Sequence, residues 1–201
     1  MTITPEQVEA AAARWGLPLT APQADHLAVY GNLLLQWNSR LSLTAIRDEA
    51  ELIERHLMEG VFAAAHHPEA STALDFGSGT GIPGIPIAIC RENLAVSLAE
   101  SKRRKAAFLQ EVLRQLHLDA TIHAGRAETL PPGSFDSVWM RAVDKGALML
   151  PAAAALVAPG GSLCLLGTAV PPLLPARGPW EWKTIPLPRS KDRVLHIGAR
   201  K

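Results

Sequence analysis

The sequence predicts an α/β protein: a mostly parallel, doubly wound sheet, preceded by a helical N-terminal region and closed by an antiparallel strand. Three observations carry that prediction. From about residue 72 onward, short apolar runs alternate with helical stretches. Those runs are largely apolar rather than regularly alternating, as strands are when helices cover both faces of their sheet. The first run passes through closely spaced glycines straight into a helix, which is the turn that such sheets use to meet a ligand.

The chain has 201 residues, 48% of them hydrophobic and 19% charged, enough to bury a full core and to exclude disorder as the main state. Twenty Lys+Arg against nineteen Asp+Glu give a net charge of +1, which excludes binding to nucleic acid by bulk charge but not a local basic site. Length suggests one unit, divided here into a helical extension over residues 1–68 and a core over 69–201.

Start signals justify the N-terminal helices. Thr4-Pro5-Glu6-Gln7 and Thr20-Ala21-Pro22-Gln23 read as capping boxes with proline in the first turn. Asp48 offers a third start, and Gly16 with Pro18 stops the first helix. The expected helices are 5–16, 22–38 and 48–65. In the core, strands are expected at 72–76, 94–99, 120–123, 135–140 and 162–166. Helices are expected at 84–91, 102–118 and 145–158, the last ended by Pro159-Gly160-Gly161. The stretch 171–188 is proline-rich, and 193–199 alternates as a last strand, which an antiparallel hairpin would suit.

Cys90 and Cys164 sit in apolar runs with no metal-ligand spacing and no disulfide framework. No basic start followed by an apolar stretch marks a signal peptide, and no run approaches ~18 apolar residues. The expected setting is a reducing cytoplasm, away from membranes.

The strongest local signal is Asp75-Phe76-Gly77-Ser78-Gly79-Thr80-Gly81-Ile82-Pro83-Gly84. Glycines there let the backbone turn sharply and approach a ligand with no Cβ between. Glu100 closes the next strand, nineteen residues after Gly81, where an acid takes the two ribose hydroxyls of a nucleotide-like cofactor. The alternative is a tight turn beside a solvated carboxylate. Ile82 stands where the dinucleotide fingerprint needs a third glycine, and Pro83 and Pro86 remove amides that a pyrophosphate would use. S-adenosylmethionine has no phosphate, so a methyl donor fits better than a nicotinamide, with Asp75 near its ammonium and carboxylate end.

Further pieces extend the pattern along nearly the whole chain. They are Trp37-Asn38 with Leu41 and Leu43-Thr44, Arg55-His56-Leu57, and Gly77 through Pro86. Lys105-Ala106-Ala107-Phe108-Leu109, Gly125-Arg126-Ala127-Glu128, Phe135-Asp136, Arg141-Ala142 and Pro159-Gly160-Gly161 follow. Together they resemble the 16S rRNA methyltransferase G family, also called glucose-inhibited division protein B. The resemblance implies a Rossmann-like, class I S-adenosylmethionine-dependent methyltransferase. It implies a cytoplasmic enzyme that methylates the position-7 nitrogen of a guanine in bacterial 16S rRNA, within a small ribosomal subunit or its precursor. By matched position it implies that Gly77 and Ile82 line the cofactor, with Ser78 and Gly79 in the same turn. Ala127 and Glu128 would lie near the adenine, and Arg141 between cofactor and target base. The chain departs from the family pattern at Met58-Glu59-Gly60, where an Asp-Ser pair is usual. Ser42 replaces a common Asn, and Leu166 precedes Gly167 where a Lys is frequent.

Lys102-Arg103-Arg104-Lys105 opens a helix, where the N-terminal dipole disfavours cations. An RNA phosphate contact would explain that placement, and a solvated face beside Glu100 is the alternative. Arg47, Arg55, His56, Arg189, Lys191 and Arg193 would join one basic surface only if folding gathers them. Arg141, following a strand at the ligand-binding edge, is expected in the site rather than in a structural salt bridge. Trp139 reads as core, and His66, His67 and His123 as turn or surface residues.

The chain has no cysteine placed as a nucleophile, which methylation of a pyrimidine carbon requires. Met140-Arg141-Ala142-Val143 stands where amine-directed enzymes carry an Asn-or-Asp-Pro-Pro-aromatic loop. Both absences agree with the ring-nitrogen target that the resemblance implies. The rivals are a small-molecule methyltransferase, an RNA-binding assembly factor that keeps the pocket without turnover and, more distantly, a nicotinamide oxidoreductase. A monomer without a metal is expected.

Overall fold

The computed structural model describes residues 2–141, 147–168 and 180–201. The start of the helix expected at 145–158 and residues 171–179 of the proline-rich stretch lie outside the described residues.

Both N-terminal capping boxes form. Thr4 and Thr20 accept from the amides of Gln7 and Gln23, whose side chains accept in return from the cap amides, and so fix α1 (Pro5–Trp15) and α2 (Ala21–Leu41). α2 runs past the expected end at residue 38 and stops where Ser42 turns left-handed at φ 49°. The expected helix 48–65 begins at α3 (Glu49–Leu52), capped by Asp48, and ends at α4 (Glu59–Ala65). Between them, Ile53–Met58 widens into a π-helix, a form often found at functional sites.

The sheet has seven strands in the order β3-β2-β1-β4-β5-β7-β6. They are β1 (Thr72–Phe76), β2 (Ala95–Ala99), β3 (Ala120–His123), β4 (Phe135–Arg141), β5 (Val157–Thr168), β6 (Trp180–Pro186) and β7 (Arg193–Arg200). β1 to β5 pair in parallel, and β7 runs antiparallel between β5 and β6. The order reverses direction between β1 and β4, and in open sheets of this kind the crevice at the carboxyl ends of two such strands is where ligands bind. α5 (Gly84–Cys90), α6 (Arg103–Leu116) and α7 (Leu150–Leu156) complete the layers.

β5 is longer than expected, and Pro159-Gly160-Gly161 falls inside it rather than after a helix. Phe135 pairs with Val157 and Ser137 with Ser162, so the extra residues pass across an irregularity in register. The closing hairpin forms from β6 and β7.

Alternation along the strands divides the interior in two. Leu74, Phe76, Val138, Met140, Leu163 and Leu165 face α7. Ala73, Trp139, Cys164 and Leu166 face the other way, into a cluster shared with α1, α2, α4, α5 and α6. The N-terminal helices therefore share one apolar interior with the sheet. Leu166 is fully buried in that cluster. At Gly60 a Cβ would overlap Pro86 of α5, so a side chain there would push the two helices apart. Among the described residues no helix is long and apolar enough to cross a membrane.

Candidate active site

β1 ends at Phe76, and the chain turns through Gly77, Gly79 and Gly81, all at positive φ (71°, 59° and 92°). That region strongly favours glycine. A Cβ on Gly77 would meet nothing within 4 Å, so the turn has open space beside it. Its underside is held by the protein. Ser78 N–H donates to Ala99 O (2.9 Å), and Ser78 Oγ donates to Asp75 O (2.9 Å). The Ser78 hydroxyl is therefore occupied within the turn.

Glu100, 6% exposed, accepts from Gly79 N–H (2.9 Å) at Oε2 and from Lys102 N–H (2.7 Å) at Oε1. It thereby ties the turn to the start of α6, which has no side-chain cap of its own. An ionised carboxylate has about four acceptor positions, so roughly two remain for hydroxyls. Asp75 is buried and accepts from Gly84 N–H (3.1 Å). Burial raises its pKa to about 7, against the opposing pull of the Gly84 amide and the Arg141 cation.

Sequence reasoning missed Tyr30. Fully buried in α2, it donates from its hydroxyl to Thr80 O (2.6 Å) and clamps the turn from the helical region. Burial pushes its own ionisation far up. It is the single tyrosine of the chain, the one signal that could have pointed to it.

Beside the turn lies a cavity of about 320 Å³ lined by Phe76, Gly77, Ala99, Ser101, Gly125, Arg126, Ala127, Glu128 and Met149. The structure thus brings Gly77, Ala127 and Glu128 together. Ile82 differs: its side chain is 2% exposed and packed in the core, so any ligand contact it makes runs through its backbone. Larger cavities lie elsewhere, one of about 590 Å³ among Arg14, Leu35, Arg47, Glu49 and Ile53. We place the chemistry at the sheet edge because the turn and the acids converge there.

Arg141 ends β4 at the same edge. Its Nη2 donates to Arg55 O (2.9 Å), to His56 Nδ1 (3.2 Å) and to Glu59 Oε2 (3.1 Å). Arg193, from the start of β7, meets Glu59 as well, Nη2 to Oε2 at 2.9 Å. Arg141 thus forms the salt bridge that was the alternative weighed against a site role, and it does so at the carboxyl edge of the sheet. Because Nδ1 of His56 accepts from a cation, its proton sits on Nε2, which donates to Thr44 Oγ1 (3.0 Å). Burial and the Arg141 charge lower the His56 pKa to about 3, so the ring is neutral. Thr44 N–H in turn donates to Asn38 Oδ1 (2.9 Å), and Asn38 Nδ2 donates to Ile46 O (3.1 Å). This polar chain from α2 to β4 is the second feature that sequence reasoning missed.

Of the remaining basic residues, Arg55 pairs with Glu51 (3.3 Å) and Arg189 with Glu54 (3.5 Å). Lys102, Arg103 and Arg104 are exposed. Lys105 is half-buried, with Nζ 3.7 Å from where a Gly79 Cβ would stand, so it leans over the turn. His67 corrects an expectation. It is buried, stacks on Trp139 with ring centres 5.2 Å apart, donates from Nδ1 to Pro68 O and accepts from Ser137 Oγ at Nε2. Trp139 is core, as expected. Cys164 is buried, and burial pushes the Cys90 thiol up to about 12, so neither is a ready nucleophile.

Comparison with known proteins adds to this geometry. The family model described as rRNA small subunit methyltransferase G matches residues 23–170. The chain belongs to that family. The ribosomal RNA small subunit methyltransferase G of Xanthomonas campestris pv. campestris is 38% identical over 184 residues, 89% of this chain and 86% of that one. The Neisseria meningitidis serogroup B protein of the same name is 38% identical over 138 residues, 68% and 67% of the two chains.

Solved structures agree on the fold. The magnesium protoporphyrin IX methyltransferase of Synechocystis, with bound S-adenosylmethionine, gives a TM-score of 0.61 at 12% identity, covering 86% of this chain and 97% of that one. A SAM-dependent methyltransferase from Aquifex aeolicus gives 0.58 at 13% identity, covering 79% and 96%. The chain is a methyltransferase by family, and its fold is that of the S-adenosylmethionine-dependent enzymes. The residues present suit that cofactor. Gly77 leaves open space, Glu100 keeps acceptor positions spare, and the cavity continues from the turn to Ala127 and Glu128.

Proposed function

We propose that the protein transfers a methyl group from S-adenosylmethionine to the position-7 nitrogen of a guanine in 16S rRNA. The substrate would be a small ribosomal subunit or its precursor, and the enzyme a cytoplasmic monomer. The observation that carries this reading is the family match over residues 23–170, which includes the glycine turn, Glu100, Ala127, Glu128 and Arg141. In it, Gly77 and Gly79 offer backbone to the cofactor and Glu100 receives its ribose hydroxyls. Ala127 and Glu128 border its adenine, and Asp75 acts near its ammonium and carboxylate end.

Bound S-adenosylmethionine supplies an electrophilic methyl on a sulfonium sulfur. The work left to the chain is to hold that methyl in line with the acceptor nitrogen. Guanine N7 carries its lone pair in the ring plane and has no proton to lose. General-base help, worth ~100–10,000-fold where a proton must move, has no task in this step. A bidentate grip by Arg141 on the guanine major-groove edge would cover the nitrogen to be methylated, so Arg141 acts by positioning.

With RNA and cofactor saturating, the single-turnover rate is expected to be nearly flat from mildly acidic to mildly basic pH. Arg141→Ala lowers it without adding a pH dependence. A tenfold rise per pH unit, lost on replacing one carboxylate or histidine, would overturn the mechanism. Absence of label in 16S rRNA, after incubation with labelled cofactor and unmodified subunits, would overturn the function.

A further inference from the structure

At the carboxyl edge of the sheet, one carboxylate serves two guanidinium groups. Glu59 Oε2 lies 3.1 Å from Arg141 Nη2, and Glu59 Oε1 lies 2.6 Å from Arg193 Nε. The Glu59 side chain is 3% exposed, while those of Arg141 and Arg193 keep 18% and 15%. His56, the other titratable group in contact, is neutral and adds no charge of its own. Among the described residues this group therefore carries one positive charge in excess. It is mostly shielded from water, where such a charge acts more strongly than on an open surface.

Its place gives the surplus a use. Arg141 ends β4, one of the two strands that border the crevice, and its charge is felt by Asp75 under the glycine turn. Because β7 runs antiparallel to β5, its first residue, Arg193, reaches the carboxyl edge of the parallel strands. Arg55 stands beside them, half-exposed, with its carbonyl held by Arg141. The α6 cluster Lys102–Lys105 is a different kind of surface, mostly exposed and uncapped. The arginine pair is already ordered by its carboxylate, so binding an anion there costs less side-chain entropy. Planar guanidinium forks suit the paired oxygens of a phosphodiester.

We propose that Glu59 gathers Arg141 and Arg193 into a preformed cationic pair that holds one phosphodiester of the substrate RNA beside the reacting base. The inference rests on the rRNA reading above and deepens it: what Arg141 grips is backbone, which leaves the guanine edge free.

The test is binding of unmodified small subunits over a salt series, for the wild type, Arg193→Gln and Arg193→Lys, with cofactor affinity measured in parallel. Arg193→Gln is expected to weaken subunit binding about tenfold or more. It also flattens the slope of log K against log salt by roughly 0.7–0.9, the value of one phosphate contact. S-adenosylmethionine affinity stays within about twofold. Arg193→Lys keeps the slope and recovers part of the affinity. An unchanged slope for Arg193→Gln, or equal losses of cofactor and subunit affinity, would return the pair to a structural bridge and overturn the proposal. Should Arg193→Gln fail to fold, Glu59→Asp tests the same point. Its shorter arm loosens the pair, so subunit affinity drops with the salt slope and cofactor affinity kept, and unchanged subunit affinity overturns the proposal. A wild type that binds subunits with this salt dependence yet methylates no rRNA would defeat the proposed function and leave the pair standing.

Discussion

The glycine turn and the arginine pair sit on the same edge of the sheet but are built in different ways. The turn is local: Asp75 through Glu100 supplies its glycines, its buried acid and the carboxylate that holds the Gly79 amide. The pair is assembled from far apart, since Arg141 reaches Glu59 across 82 positions and Arg193 reaches Glu59 across 134. The turn depends on backbone conformation, with three residues in the left-handed region. The pair depends on charge balance in a shielded place. A site of the first kind fails when one side chain is added, and a site of the second kind fails when one partner is removed.

The largest effect is expected at the turn. Gly79→Val places a branched side chain at φ 59°, a conformation that such residues rarely adopt, beside Lys105 Nζ and Gly77 O. Cofactor binding by calorimetry should fall at least 100-fold, while the arginine pair stays in place. Binding within tenfold of wild type would mean that the cofactor does not use this backbone.

The two regions also differ in the sign of their response to pH. Asp75, raised to about 7, binds a proton in the fold that the unfolded chain has lost, so its part of the stability declines as pH rises from about 4 to 7. His56 and His67, lowered to about 3 and 4, are neutral in the fold while the unfolded chain takes up protons. Their part is complete above about 6.5 and is lost as pH falls below it. Asp75→Asn removes the first contribution. Its stability relative to wild type should grow by about 1.4 kcal/mol per pH unit across pH 4.5–6.5 in denaturant titrations, with both proteins still losing stability toward acid. A difference that does not change with pH would show that Asp75 is ionised throughout.

The smallest effect is expected where the helical region touches the turn. Tyr30→Phe removes the hydroxyl that donates to Thr80 O. Stability should fall by about 0.5–1.5 kcal/mol, and cofactor affinity by a few-fold. Full affinity with unchanged stability would show that the clamp contributes nothing.

Much of the fold was legible because it rests on signals a few residues long. Thr4 and Thr20 announced their helices, and β1, β3 and the closing strand fell where apolar runs placed them. The turn and Glu100 were legible for the same reason. The extent of β5 was not, because Pro159-Gly160-Gly161 reads as a stop when taken alone. Only the pairing of Phe135 with Val157 shows the strand beginning earlier. His67 was misread because nothing beside it in sequence tells of Trp139 and Ser137, seventy or more positions away.

By itself, then, the sequence determined the doubly wound core, the glycine turn, the acid at the end of β2 and the family. Each is set by local backbone preference, by the period of apolar residues or by motif. Only the tertiary structure decided that Tyr30 holds the turn, that His56 is neutral, and that Arg141 and Arg193 share Glu59. Those facts depend on burial and on the partners that folding delivers. A charge changes its meaning when water is removed and a second charge arrives from another strand, and neither event is written in the residues on either side of it.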